Sequence, residues 1–427
     1  MRSKRDFRGY PRVMTYGDSS ADCRVDIANL FASYFQSVYI QHDNVPVQMP
    51  MLSDISLSYI AIDSDIVFKK LIELDKNKEA GPDKLPPVFF FNCSPTLAMP
   101  LSYIYNISLK SGTFPSMWKL ARITPLFKCG NRSNISDYRP ISGLDTAAKV
   151  LEKIVTENLF DTFRNRITIS QHGFFTGRSC QTNLCIFTHY LATSLDQGSQ
   201  VDVIYLNYRK AFDQVSHQKL KFYGICDPLL TWFRSYLEGR RQIVAIGSTI
   251  SNEFNVCSGV PQGSHLGPIL FLIFINDLSV VFKTSHFLFF ADDLKVCHRI
   301  KSVNDCRLLQ EDIKNITSWC LGNKMKLNIS KCKFMTFTRK KLPILHSYFA
   351  NGQELSRVSI INDLGVLFDS ELRFTGHIDW VISKSFRMLG FALRQCHGFR
   401  DTEVLKLIFY SLVKSHLDCC AIWSPCY

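Results

Sequence analysis

The sequence has no C-x-x-C pair, no H-x-H pair, no internal repeat and no low-complexity tract. Its fifteen cysteines are scattered rather than spaced. Cys180 and Cys185 find no matching Cys or His pair downstream. Cys419 and Cys420 are adjacent, which suits neither a zinc site nor an ordinary disulfide. An odd count without a framework reads as reduced thiols in an intracellular protein. The longest apolar run, residues 269–275, is too short to span a bilayer. The opening MRSKRDFRGY lacks the apolar region of a signal peptide. Together these absences disfavour a secreted disulfide scaffold, a zinc-ribbon module and a membrane-spanning protein. The expected setting is cytoplasmic or nuclear, with no membrane partner.

What is abundant is positive charge. Fifty Lys and Arg against thirty-seven Asp and Glu give a formal net charge of +13 over 427 residues. Such an excess points to a polyanionic partner, with plain surface solvation as the alternative. Hydrophobic residues at 46% and charged residues at 20% allow a buried core, and the length allows two to four domains. Residues 1–60 carry little clear pattern. Helical spacing follows at 66–74, 97–109 and 144–163, where Leu151, Ile154, Val155 and Leu159 share a face. The run WKLARITPLFKCGNRSNISDYRPIS reads as a strand ending in a basic loop. Residues 201–208 are apolar on both faces, as in a central strand. Residues 286–290 and 294–297 read as a hairpin, and 325–327 and 334–338 as two further strands. After about Pro343 the spacing predicts helices again.

Two motifs point to chemistry. In FLFFADDLKVC, Asp292 and Asp293 sit at the tip of an apolar hairpin. Adjacent carboxylates beside a core repel each other unless a cation neutralises them, and oxygen ligands suit Mg²⁺ or Mn²⁺. A turn that happens to use Asp-Asp is the bland alternative. Upstream, CSGVPQGSHLGPILFLIFINDL packs Gly259, Pro261, Gly263 and Gly267 into a compact backbone that lets a ligand approach, with Gln262 and Ser264 as polar contacts.

DYRPISGLDTAAKVLEKI, QHGFFTGRSCQTN, VDVIYLNYRKAFDQVSH, SGVPQGSHLGPILF, FFADDLKV and LNISKCKFMTF follow one another along the chain. In this order they resemble the consecutive blocks of a reverse transcriptase, and within that family the polymerases of jockey-like non-LTR retrotransposons. NDLGVLFDSELRFTGHI and SLVKSHLDCCAIWSP are similar to that lineage's downstream segments. The resemblance runs from about residue 71 to the end. It implies an α+β right-hand fold. Fingers would occupy 61–200 and return over 218–255, an antiparallel-sheet palm 201–340, and a helical thumb 341–427, after an ill-defined segment 1–60. It implies template-directed DNA synthesis with an RNA template, a DNA primer and deoxynucleoside triphosphates as partners, and two Mg²⁺ or Mn²⁺ ions as cofactors. Carried over residue by residue, Asp292 and Asp293 match the metal-binding aspartate pair. Gln262 and Gly263 match the segment against the incoming nucleotide. Phe212 matches an aromatic that excludes the ribose 2′-hydroxyl. Lys128 and Arg139 match basic residues that hold the triphosphate. Lys331 matches a candidate proton donor to pyrophosphate. For each Lys and Arg an ordinary solvated charge is the alternative. In LTWFRSYLEGRRQIV, Trp232, Phe233, Tyr236 and Leu237 read as core, with Arg240 and Arg241 as candidates for phosphate contact.

The sequence departs from the family pattern at one position of the first palm motif. Asn207 stands where the family carries a catalytic aspartate, and Tyr205, Leu206, Lys210, Ala211 and Phe212 around it hold the register. An amide offers one neutral oxygen and an NH₂ donor in place of a carboxylate. Asp213 falls beyond the strand and should not substitute. The resemblance therefore reads the chain as a degenerate or truncated copy with impaired polymerase activity. A nucleic-acid-binding fold without chemistry is the competing reading, and a fold-retaining relic the third.

Overall fold

Gln200–Leu206 (β5) is almost wholly buried and lies at the centre of a five-stranded sheet, as a strand apolar on both faces must. The computed structural model describes residues 9–39, 55–209, 211–214 and 217–418. Elements are numbered along the chain. The chain divides into two units, one formed by residues 1–167 and 210–277, the other by residues 168–209 and 278–427.

In the second unit, β5 pairs antiparallel with Asp293–Ile300 (β10) on one side and Lys333–Phe337 (β11) on the other. His286–Phe290 (β9) completes a hairpin with β10, and Ser356–Arg357 (β14) adds a short parallel edge to β11. Alternation along β5 sends Val201 and Val203 towards Cys180–Asp196 (α6), where Leu184, Phe187, Leu191 and Leu195 close a core with Met335, Phe337 and Phe368. Each such side chain contributes about 1.5–3 kcal/mol by leaving water. Helix α6 starts at a capping box in which Ser179 and Thr182 exchange hydrogen bonds. Val303–Gly322 (α9) packs against β10 through a buried stripe that includes Leu309, Ile313 and Ile316. One buried carboxylate interrupts the apolar centre. Asp202 of β5 accepts from the Tyr348 hydroxyl at 2.7 Å and from Gln200 Nε2 at 3.0 Å, which satisfies it.

The first unit is built on Leu120–Phe127 (β3), Tyr138–Gly143 (β4), Arg240–Ile246 (β6), Thr249–Ile250 (β7) and Phe254–Val256 (β8). β3 runs parallel to β6 and antiparallel to β4. Arg24–Ser37 (α1) covers one face, with Ile27, Ala28, Phe31 and Phe35 against Ala121, Ile123, Tyr138 and Val244. Helices Ser64–Ile72 (α2), Pro87–Asn92 (α3), Ser94–Lys110 (α4), Thr146–Phe163 (α5), Leu229–Leu237 (α7) and Leu266–Ile275 (α8) complete it. α8 is the apolar run 269–275 with its flanks, buried on every side.

Four expectations need correction or refinement. Residues 14–37 are not patternless: Met14–Tyr16 (β1) and Ser19–Ala21 (β2) pair and lead into α1. Met325 to Leu327 form no strand; Leu327 makes one isolated bridge to Tyr208. Helices resume after Pro343 as expected, but only from Thr375. Phe349–Ala350 (β12), Gln353–Glu354 (β13), β14, Ile360–Asp363 (β15) and Val366–Asp369 (β16) come first, and Thr375–Gln395 (α10) and Thr402–Phe409 (α11) follow. These strands are two to four residues long, too short for alternation to show. Arg240 is not available to phosphate. It is 2% exposed, lies over the Tyr236 ring at 4.9 Å and donates to the Tyr236 carbonyl at 3.0 Å. Among the described residues no helix is long and apolar enough to cross a membrane.

Candidate active site

The carboxylate pair sits where the hairpin motif places it. Phe290 and Asp293 face each other across β9 and β10, and Ala291 and Asp292 form the loop. Next to the hairpin, on the strand that β10 pairs with, Asn207 follows the end of β5. Its Nδ2 lies 3.4 Å from Asp293 Oδ1, a long hydrogen bond. Protein atoms crowding the Asp293 carboxyl, and next the charge of Asp292, push its pKa up to about 6, while the Asn207 amide opposes that rise. Asp293 nonetheless keeps solvent access, so it is crowded rather than sealed.

Asn207 is held by its backbone. Its carbonyl accepts from the Asn328 amide at 2.8 Å, and its own N–H reaches Cys332 Sγ at 3.5 Å. The same turn carries Lys331, whose N–H donates to the Asn328 carbonyl at 2.9 Å and whose side chain is exposed. Asn207, Asp292, Asp293 and Lys331 are therefore carried by three neighbouring strands of one sheet or by the loops at their ends. Two residues along β10 from Asp293, Lys295 and Asp363 form a buried ion pair at 2.6 Å. Among the described residues no group of three or more His, Cys, Asp or Glu is arranged to hold a metal. The donor set is two carboxylates and one amide. It fits a Mg²⁺-like cation, which is commonly bound through one or two carboxylates with water completing its shell. Among the described residues it lacks the third charge that would hold two such cations close together.

The other candidates assemble in the first unit. Leu126 pairs with Arg139 and Thr124 with Ile141, and the Lys128 N–H donates to the Asp137 carbonyl. Strand alternation then places Thr124, Leu126, Lys128, Arg139 and Ile141 on one face of the β3–β4 hairpin, and all five are exposed. The segment Pro261–Gln262–Gly263 docks on the edge of β4, where the Ser142 N–H donates to the Gln262 carbonyl at 2.8 Å. Gly263 is needed there. Its φ is +110°, and a Cβ would lie 2.9 Å from the Ser142 carbonyl oxygen. Gly263→Ala is expected to lift this loop, with a local cost of about 1–3 kcal/mol. Hydrogen exchange at the Ser142 amide should then quicken by roughly an order of magnitude. Exchange unchanged from the parent would mean that the contact carries no strain. Phe212 stacks on Phe271 of α8 at 4.6 Å, and its carbonyl accepts from the Val260 N–H at 2.9 Å, two residues before Gln262. Lys210 lies outside the described residues.

Sequence reasoning missed the supports beneath these residues. Glu152 of α5 is fully buried. It accepts from the Tyr236 hydroxyl at 2.8 Å and from the His265 N–H at 2.9 Å, tying the start of α8 to α5. Little in the sequence marked it, because Lys149, Lys153, Glu157 and Asp161 put charges on the same helix. Gln171, the first residue of QHGFFTGRSCQTN, is another such support.

Residues 129–393 match the family described as reverse transcriptase (RNA-dependent DNA polymerase), more than half of the chain. A probable RNA-directed DNA polymerase from transposon BS of Drosophila melanogaster is 26% identical over 414 residues, covering 88% of this chain and 44% of the relative. The probable RNA-directed DNA polymerase from transposon X-element of the same fly is 28% identical over 330 residues, 73% of this chain and 36% of the relative. The RNA-directed DNA polymerase from its mobile element jockey is 27% identical over 301 residues, 67% of this chain and 33% of the relative. The chain spans less than half the length of each of these relatives. The ordered motifs, the carboxylate hairpin beside the central strand and these matches lead to one conclusion: the chain belongs to the reverse transcriptase family and is similar to the polymerases of jockey-like non-LTR transposons.

Proposed function

We propose that this chain is the polymerase part of a non-LTR retrotransposon protein, built for nucleotidyl transfer to a primer 3′-hydroxyl on an RNA template, with its rate held down by Asn207. The observation that carries the reading is the amide of Asn207 set against Asp293 beside the carboxylate hairpin. The sheet bearing Asn207, Asp292 and Asp293 takes the palm role in a right-hand polymerase. Asp292 and Asp293 would hold Mg²⁺, which when bound supplies the charge that activates a hydroxyl and steadies a leaving phosphate. Lys331 would give a proton to the pyrophosphate. Lys128 and Arg139, exposed on one face of a hairpin, would meet the triphosphate. Gln262 and Gly263 would line the nucleotide and Phe212 would read its sugar.

Slow extension of a DNA primer on an RNA template is expected with Mg²⁺ or Mn²⁺. Asp292→Asn should lower it at least ~10²-fold, the cost typical of losing one charge-stabilising group. Extension indifferent to Asp292→Asn would sink the assignment. The net charge of +13 also favours a second reading, salt-dependent retention of nucleic acid without chemistry. Its mark is tight binding at low salt with no extension even after Asn207→Asp.

A further inference from the structure

We infer that Gln171 is a positioning residue that sets the direction of Asp292 and Asp293 by clamping the loop between β9 and β10; this rests on the reading of that loop as a cation site.

Ala291, the first loop residue, has a φ of +55°, a left-handed conformation that costs a non-glycine residue about 1–2 kcal/mol. In a two-residue hairpin loop glycine ordinarily takes such a position. Something must hold alanine there, and Gln171 does. Its side chain is 1% exposed. Its Oε1 accepts from the Ala291 N–H and from the Gly173 N–H, both at 2.9 Å, and its Nε2 donates to the Ala291 carbonyl at 3.2 Å. Both backbone groups of the strained residue are thus bound by one amide. Of the side chains of similar reach, a carboxylate could not donate and a lysine could not accept.

The clamp is itself fixed. The Phe289 N–H donates to the Ser170 carbonyl at 2.9 Å and the His172 N–H to the Phe289 carbonyl at 3.0 Å, so the segment runs as an extra half-strand along β9. Asn183 Nδ2 donates to that same Phe289 carbonyl at 3.0 Å. Arg178 Nη1 donates to the Gln171 carbonyl at 2.6 Å and to the Thr168 carbonyl at 2.9 Å, with its guanidinium 3.8 Å above the Phe175 ring. Gly173 touches the loop directly, since a Cβ there would lie 2.2 Å from the Ala291 nitrogen. Ala291 is followed at once by Asp292 and Asp293, so a change in its φ re-aims both carboxylates. Gln171 never has to touch a cation to do this.

The test measures Mn²⁺ binding to the full chain by the electron paramagnetic resonance signal of free Mn²⁺, with the midpoint of thermal unfolding recorded alongside. Gln171→Met keeps the volume and removes both hydrogen-bonding functions. It should weaken Mn²⁺ binding about tenfold or more, the usual loss for an outer partner of a metal ligand. Adding Ala291→Gly, which is at ease at positive φ, should restore most of that affinity. A merely structural role predicts a lower unfolding midpoint and no rescue by glycine, and that result overturns the inference. So does loss of folding in both the single and the double variant. Asp292→Asn separates the two levels. If it leaves Mn²⁺ binding intact, the cation site itself is wrong and the role of Gln171 towards it falls as well. If it abolishes binding while Gln171→Met keeps it, the clamp alone is refuted.

Discussion

Asn207→Asp is expected to raise Mg²⁺-dependent primer extension on an RNA template by about 10²–10³-fold, the scale set by a single well-placed charge-stabilising group. The change is close to isosteric. The backbone of Asn207 is fixed from two sides, by the Asn328 amide and by Cys332 Sγ, so a carboxylate would take up the amide's position. What changes is charge. Asn207 now donates towards Asp293, whereas an aspartate would face Asp293 and Asp292 as a third anion. Without a cation that repulsion is unfavourable, and with one it becomes the attraction that holds the metal. A second readout follows. The variant should unfold at a lower temperature than the parent in chelator and gain more from added Mg²⁺, because a ligand that binds only the folded state stabilises it by mass action. Equal extension by parent and variant would show that the third carboxylate is dispensable here.

Lys219→Met should destabilise the first unit by about 3–5 kcal/mol, the cost of stranding a buried charge. Lys219 lies in a 3₁₀ turn, His217–Tyr223, and its Nζ reaches both carboxylate oxygens of Asp277 at 2.7 Å and the Phe274 carbonyl at 3.1 Å. Both side chains are about 5% exposed or less. Burial pulls the lysine pKa down to about 8, and Asp277 only partly offsets it. Taking both charges out of water offsets much of what their attraction returns, and half of such a pair is worse than none. The double variant Lys219→Met with Asp277→Leu should therefore recover most of the loss in a urea titration. A single variant as stable as the parent would mean that water reaches Asp277.

The central strand, the carboxylate hairpin and the run that becomes α8 were legible as apolar stretches of five or more residues, and α5 by its helical spacing. Residues 14–37 were not, although Ile27, Phe31 and Phe35 sit four apart. Two three-residue strands and scattered polar residues around them masked the stripe. The short strands after Pro343 lie below the length at which any period can be read. The carboxylates and Asn207 announced themselves by polarity in an apolar setting. Gln171 could not, because its role lies in partners 120 residues away along the chain. Glu152 and Lys219 belong with Gln171. Each lies among other charged residues, Glu152 near Lys149 and Lys153, and Lys219 near Lys221, and its burial and its partner, Tyr236 or Asp277, are set by the fold alone.

The chain passes between its two units after Ile167, Arg209 and Asp277. During synthesis this threading imposes a schedule. β3 leaves the ribosome long before β6, the parallel strand whose residue Arg241 sits beside Leu120. At ~5–20 residues per second the intervening hundred or so residues take roughly 5–20 s. Throughout that interval Ala121 and Ile123 have no Val244 or Ile246 to pack against. β5 waits in the same way for β10 and then β11. The first unit has all its residues once Asp277 is made, whereas β5 must still wait for the strands that begin at His286. The first unit can therefore ripen ahead of the second, and a chain halted between residues 207 and 239 holds β3, β4 and β5 without β6, β10 or β11.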